Sequence, residues 1–292
     1  MSIEKDLEQN KKKKHHRGRR QKKTWKDHLM NAIFVIAIGV FVFSGFKLYG
    51  IITEYQKGSM EYEKIQEDVV EESEVTIETF DEESQETVEK TRTSLNIDFE
   101  ALKKKNKDVV AWIYFENPEV INYPVVAGID NNYYLRRTLE KKYNSAGTLF
   151  IDMNNDNDFS DKNTFIYGHN MKNGSMFGQL RKYRNLEFRN ENPYFYIYTP
   201  DGIEHTYEVF ATCIVDVNSN SYDMDYSDNK EFLGYVHEQM DSSQYSCSVN
   251  VDEDDYIVSL STCTNRTKSE RLIVHGVKIE ERNVSDMNKI GD

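Results

Sequence analysis

Between Leu29 and Phe46 the chain runs for eighteen residues, LMNAIFVIAIGVFVFSGF, without one charged side chain. Wound as a helix, a stretch of that length reaches about 27 Å, close to the ~30 Å hydrocarbon layer of a bilayer. Residues 1–28 precede it with eleven Lys/Arg against four acids, a local charge of +7. Such a basic tail suits nucleic acid, but its place directly before an apolar span points to a membrane and not to a nucleic-acid partner. A cleaved signal peptide is the alternative; Ser44-Gly45-Phe46-Lys47 makes a poor cleavage site, so an uncleaved anchor is expected. The positive-inside rule then leaves 1–28 in the cytoplasm, makes 29–46 a single crossing, and exports everything after Lys47.

The whole chain of 292 residues has a formal net charge of −13, so residues 29–292 carry −20. Glu61 to Glu89 holds thirteen of those acids, one Lys64, no Gly and no Pro. This segment lacks the apolar surface to fold alone, and 47–95 is expected to be an acidic spacer, with the folded domain at 96–292. Three cysteines, Cys213, Cys247 and Cys263, lie on the exported side, too few and too odd for a disulfide framework.

From Val109 onward the pattern is that of strands: 109–115, 121–126, 147–151, 164–167, 194–199, 206–217, 256–263 and 271–279 are rich in Val, Ile, Tyr, Phe and Thr. Eight such runs with few helices predict a mainly β protein, a closed or nearly closed barrel. Helices are expected at 96–106, at 175–182, and at 229–240. In the last, Asp228 and Glu231 have N-cap and N3 spacing, and Phe232, Val236 and Met240 form the buried stripe.

Cys263 ends the run Tyr256-Ile257-Val258-Ser259-Leu260-Ser261-Thr262-Cys263. Alternation puts it on a face with Ile257, Ser259 and Ser261, small and polar toward the strand end, as a groove requires. Cys213 sits inside an apolar run and reads as a buried, inert thiol, and Cys247 lies in a polar loop without a basic neighbour. A thiol nucleophile needs an acid for its leaving group. His15, His16 and His28 fall on the cytoplasmic side, while His205 and His237 read as surface residues. His169, at a strand end beside Gly168, and His275, within the last strand, both remain open on position alone. A fixed cation would favour the thiolate and hold a developing oxyanion. Position favours Arg271 over Arg266, because an antiparallel pairing of the last two strands brings Cys263 and Arg271 to the same end.

These residues resemble class B sortases, the cell-wall transpeptidases of Gram-positive bacteria, over about Asn96 to Glu280. Ile166-Tyr167-Gly168-His169-Asn170-Met171 is similar to the family's histidine motif, and its continuation Lys172-Asn173-Gly174-Ser175-Met176-Phe177 to the class B form of it. Ser259-Leu260-Ser261-Thr262-Cys263 resembles the TLxTC signature, with Ser259 where Thr is usual. Arg271-Leu272-Ile273-Val274 resembles the arginine motif, and Asn122-Tyr123-Pro124-Val125-Val126 with Asp130-Asn131 is similar to a class B segment. The resemblance implies an eight-stranded sortase-type barrel with an N-terminal helical extension and a helix before the cysteine strand. It implies that Cys263 attacks the Thr carbonyl of an NPxTx-like C-terminal sorting signal of a surface protein. His169 would protonate the departing amine, and Arg271 would steady substrate and oxyanion. An amino group of peptidoglycan or its lipid-linked precursor would then resolve the thioester. Asn131, Leu135, Ser261 and Tyr222 match positions lining the family's substrate groove.

No cofactor is called for. Asn154-Asn155-Asp156-Asn157-Asp158 lacks the Gly and distal Glu of an EF-hand loop, and no metal is expected there. Two rival classes are a cysteine hydrolase without transfer and an inactive binding module on a stalk. Papain-like hydrolases place the cysteine on a helix ahead of the histidine, the reverse of the order here, and a binding module has no need of the three residues together.

Overall fold

The computed structural model describes residues 24–81, 86–118, 121–264 and 266–287. Most of the basic tail therefore lies outside the described residues. The chain divides into two units, Met1–Ile52 and Thr53–Asp292.

The first unit contains most of the apolar part of helix α1 (Trp25–Val69). Its apolar side chains are bare: Phe34, Ile36 and Val42 are 66, 66 and 63 % exposed. Among the described residues this is the one helix long and apolar enough to cross a membrane.

In the second unit, eight of the ten described strands close a barrel in the order β10-β8-β7-β3-β4-β5-β6-β9. They are β3 (Val109–Tyr114), β4 (Asn122–Ala127), β5 (Leu149–Ile151), β6 (Asn163–Tyr167), β7 (Tyr194–Tyr198), β8 (Ile203–Asp216), β9 (Ile257–Cys263) and β10 (Glu270–Asn283). Two of the pairings are parallel, β4 with β5 and β6 with β9, and the rest are antiparallel. The barrel interior is filled by alternating residues such as Trp112, Val125, Ile166, Leu260 and Val274, none more than 1 % exposed. The opposite faces of β8, β9 and β10 carry a second, smaller core against helix α4 (Asn229–Asp241), with Phe210, Cys213, Phe232, Val236, Ile257 and Val277.

Helix α4 forms as its sequence dictates. Asp228 caps it by accepting from Glu231 N–H at 2.8 Å, and Glu231 reaches back to accept from Ser227 N–H at 2.7 Å. Helix α2 (Phe99–Lys105) is capped by Asp98 in the same way. The helix expected at 175–182 is instead a bridge between Asn170 and Met176 and then a 3-10 turn over Leu180–Arg184. Gly174 and Met176 take φ values of +86° and +53° there, which interrupt any helix. A short helix, α3 (Leu186–Glu191), capped by Asn185, comes next, where none was expected.

The acidic spacer also differs from expectation. Helix α1 runs on to Val69, and Val70–Asp81 pairs with Glu86–Ile97 as the hairpin β1–β2. Tyr62, Ile65, Val69, Val75 and Leu95 are buried in the main core, so packing begins well before residue 96. The strongest clip is polar. Glu204, fully buried on β8, takes a two-pronged ion pair from Arg92 and further hydrogen bonds from Ser94 (2.9 Å) and Tyr198 (2.7 Å). The segment is too acidic to fold alone, yet its few apolar residues and one arginine find partners on the barrel.

Candidate active site

The site sits on the outer face of the barrel, where β6, β9 and β10 end or begin. Cys263 is the last residue of β9 and Arg271 the second of β10, and the antiparallel register sets them directly opposite one another. Opposed residues share a face with Cβ atoms about 5 Å apart. The pairing that position suggested is therefore the one the sheet makes.

His169 is 94 residues away in sequence and is brought in by the parallel pairing of β6 with β9, in which Tyr167 faces Ser261. The registration continues past the strand end. Gly168 N–H donates to Ser261 O at 3.1 Å, Thr262 Oγ1 donates to Gly168 O at 2.7 Å, and Asn170 Nδ2 donates to Cys263 O at 2.6 Å. Both neighbours of His169 are thus tied to the strand that carries Cys263. Gly168 is required for this approach: a Cβ there would lie 2.4 Å from Leu149 and 2.6 Å from Phe177. The His169 Nε2 shares a 2.6 Å hydrogen bond with Leu135 O. Burial pulls this imidazole below its ordinary value; the Leu135 carbonyl opposes that pull and the Arg136 charge reinforces it.

Arg271 Nη1 donates to Lys268 O at 2.8 Å and Glu270 O at 3.1 Å, which fix the guanidinium at the strand end. The Tyr222 hydroxyl shares a 2.8 Å hydrogen bond with Ser261 Oγ, and its ring stacks on Tyr167 at 6.4 Å. Burial raises the Tyr222 phenol, so it stays protonated. One groove of about 400 Å³ collects all seven residues singled out from the sequence: Cys263, His169, Arg271, Asn131, Leu135, Ser261 and Tyr222. Phe150, Asp152, Tyr167, Val217, Met224 and Thr262 line it as well. Sequence reading passed over Asp152 and Tyr167. The signal available was positional, since Asp152 follows a strand directly and Tyr167 precedes Gly168-His169.

The other candidates go elsewhere. His275 is fully buried, its Nδ1 2.8 Å from Ser259 Oγ and its ring against Phe210, and burial lowers it to about 3. It is a core residue. Ser259 in turn donates to Asn163 Oδ1 at 2.8 Å, so the serine that stands where threonine is usual binds His275 into the second core. His205, expected at the surface, is 9 % exposed on β8, between Thr199 and Glu281. Cys213 is buried, its thiol pushed up to about 12 by desolvation. Cys247 is half-buried and donates to Phe210 O at 3.0 Å.

Comparison with known proteins agrees with this geometry. The family model for the sortase domain matches residues 118–279. The chain is 32 % identical to sortase B of Listeria monocytogenes over 253 residues, 86 % of this chain and 97 % of that protein. It is 25 % identical to sortase B of Staphylococcus aureus over 84 % of this chain and 94 % of that one. Among solved structures, sortase B of Clostridium perfringens superposes with a TM-score of 0.59 at 30 % identity, covering 63 % of this chain and all of that one. The Staphylococcus aureus sortase B–substrate complex gives 0.59 at 28 % identity, over 62 and 84 %. With a closed eight-stranded barrel, an N-terminal helix and these relatives, the chain belongs to the sortase family of transpeptidases, and within it to class B.

Proposed function

We propose that this chain is a membrane-anchored transpeptidase that attaches surface proteins to the cell wall through a thioester on Cys263. The observation that carries the proposal is the register of β9 on β10 and β6, which sets Cys263 opposite Arg271 and ties the neighbours of His169 to the same strand end. In the first half-reaction the Cys263 thiol gives its proton to His169 and its Sγ bonds to the Thr carbonyl carbon of an NPxTx-like sorting signal. The C–N bond breaks and the departing amine takes its proton from His169. Arg271 stabilises the negative oxygen that forms on the way. In the second, an amine of the cell-wall peptide or its lipid-linked precursor attacks the thioester, the C–S bond breaks, and the proton lost by the amine returns through His169 to the thiol. Asn131, Leu135, Ser261 and Tyr222 bind the peptide.

The exposed apolar run of α1 would serve as the anchor, with the basic residues before it in the cytoplasm and the barrel outside. Cys263 is only partly buried, so water is a competing nucleophile, and hydrolysis without transfer is the second reading. Incubating the exported part of the chain with a fluorogenic sorting peptide separates the two. Cleavage should vanish in Cys263→Ala; equal signals from the variant and the wild type would remove the enzyme reading. An added amine should appear in the product, and its absence would leave hydrolysis alone.

A further inference from the structure

One carboxylate in the groove has no part in the reaction above. Asp152 follows β5 directly and is 3 % exposed. Its Oδ2 accepts from Asn131 Nδ2 and from the Tyr167 hydroxyl, both at 2.8 Å. Its Oδ1 accepts from the backbone N–H and side-chain amide of Asn154, both at 2.9 Å. Four donors from three residues converge on it, so the carboxylate cannot swing without breaking several bonds at once.

Asn131 is held from two sides as a result. Its Oδ1 accepts from Met153 N–H at 2.8 Å while its Nδ2 donates to Asp152. A backbone N–H can only donate and a carboxylate accepts, so the amide has one orientation that satisfies both. That orientation engages the carbonyl with Met153 N–H and leaves the second N–H of Nδ2 without a protein acceptor among the described residues. Asn131 lines the same groove as His169 and Cys263.

We propose that Asp152 is a positioning residue, which locks the Asn131 carboxamide so that it presents an N–H donor, never its carbonyl, to a carbonyl oxygen of the sorting peptide. The inference rests on the transpeptidase reading of the groove. The bland role for Asp152 is a brace for the loop after β5 and for Tyr167. A brace alone would change how much enzyme is folded, and so the apparent kcat, without touching KM.

The test compares peptide cleavage by the wild type, Asp152→Asn, Asn131→Ala and the double variant Asn131→Asp/Asp152→Asn. Each is normalised to titratable Cys263 thiol and accompanied by its thermal midpoint. In Asp152→Asn the amide loses its fixed orientation, and KM should rise about tenfold with kcat within about twofold, the effect of one lost hydrogen bond. The double variant re-forms the bond between the two residues with donor and acceptor exchanged. It should recover the thermal midpoint but keep the high KM, because a carboxylate at position 131 has no N–H to offer. A wild-type KM in Asp152→Asn, or in the double variant, overturns the proposal. Should Asp152→Asn not fold, Asn131→Ala carries the test, and a wild-type KM there overturns it. A wild type that cleaves no sorting peptide instead overturns the reaction itself, and that is seen before any variant is made.

Discussion

His169 and His275 are both lowered by burial, yet to different ends. His169 keeps a carbonyl acceptor at 2.6 Å and an open side toward the groove, so its proton remains exchangeable with a substrate. In the folded domain its NMR titration midpoint should fall below the ordinary imidazole value of about 6.5, and Arg136→Gln should raise it by removing a repelling charge. A midpoint at or above that value would contradict the burial described here. His275 has no such outlet. Its folded value of about 3 lies below the unfolded one, so its neutral form stabilises the fold above about pH 6.5. As pH falls from there, the unfolded chain gains a proton that the folded one refuses, and stability drops steadily, by on the order of 1 kcal/mol per pH unit, until about pH 3. Urea unfolding at a series of pH values should show this loss in the wild type and a shallower slope in His275→Gln.

At the scale of elements, three strands do what no single motif does. β9 pairs with β6 on one side and β10 on the other, so the histidine motif, distant in sequence, meets the adjacent cysteine and arginine motifs at one sheet end. β10 also pairs with β8, with a register shift between His275 and Gly276. A Cβ on Gly276 would lie 2.4 Å from the Phe195 ring and 3.2 Å from Tyr207 Cβ. Gly276→Ala should therefore overpack the barrel and cost about 1–3 kcal/mol, read as a lowered thermal midpoint. Because Gly276 is five residues from Arg271, cleavage per folded molecule should change far less than stability does.

At the scale of the barrel unit, the polar clip between the hairpin and β8 matters most. Arg92 and Glu204 are 3 and 0 % exposed at their side chains, and Ser94 and Tyr198 complete the carboxylate's partners. Arg92→Met would leave Glu204 buried without its counter-charge, a loss of about 3–5 kcal/mol measurable by denaturant unfolding. A chain cut at residue 96 would also bare the surfaces that Tyr62, Ile65, Val69 and Leu95 cover, and should melt at lower temperature than one starting at Thr53.

The sequence by itself determined whatever is encoded over a few turns or a few alternations. That includes the uncharged run in α1, most strand cores, the Asp228 cap, and the side-chain alternation that puts Ser259, Ser261 and Cys263 on one face. The resemblance of the quoted motifs to those of class B sortases also pointed to the right family. Only the tertiary structure set His169 and His275 apart, tying the neighbours of one to β9 and burying the other against Tyr235 of α4. It likewise decided that an acidic segment joins the barrel unit, and that Asp152 and Tyr167 belong to the groove. Periodicity and capping are local energies and leave a local mark. Strand pairing, burial of a charge and the lining of a groove depend on partners roughly 100 residues away, which no short window of sequence contains.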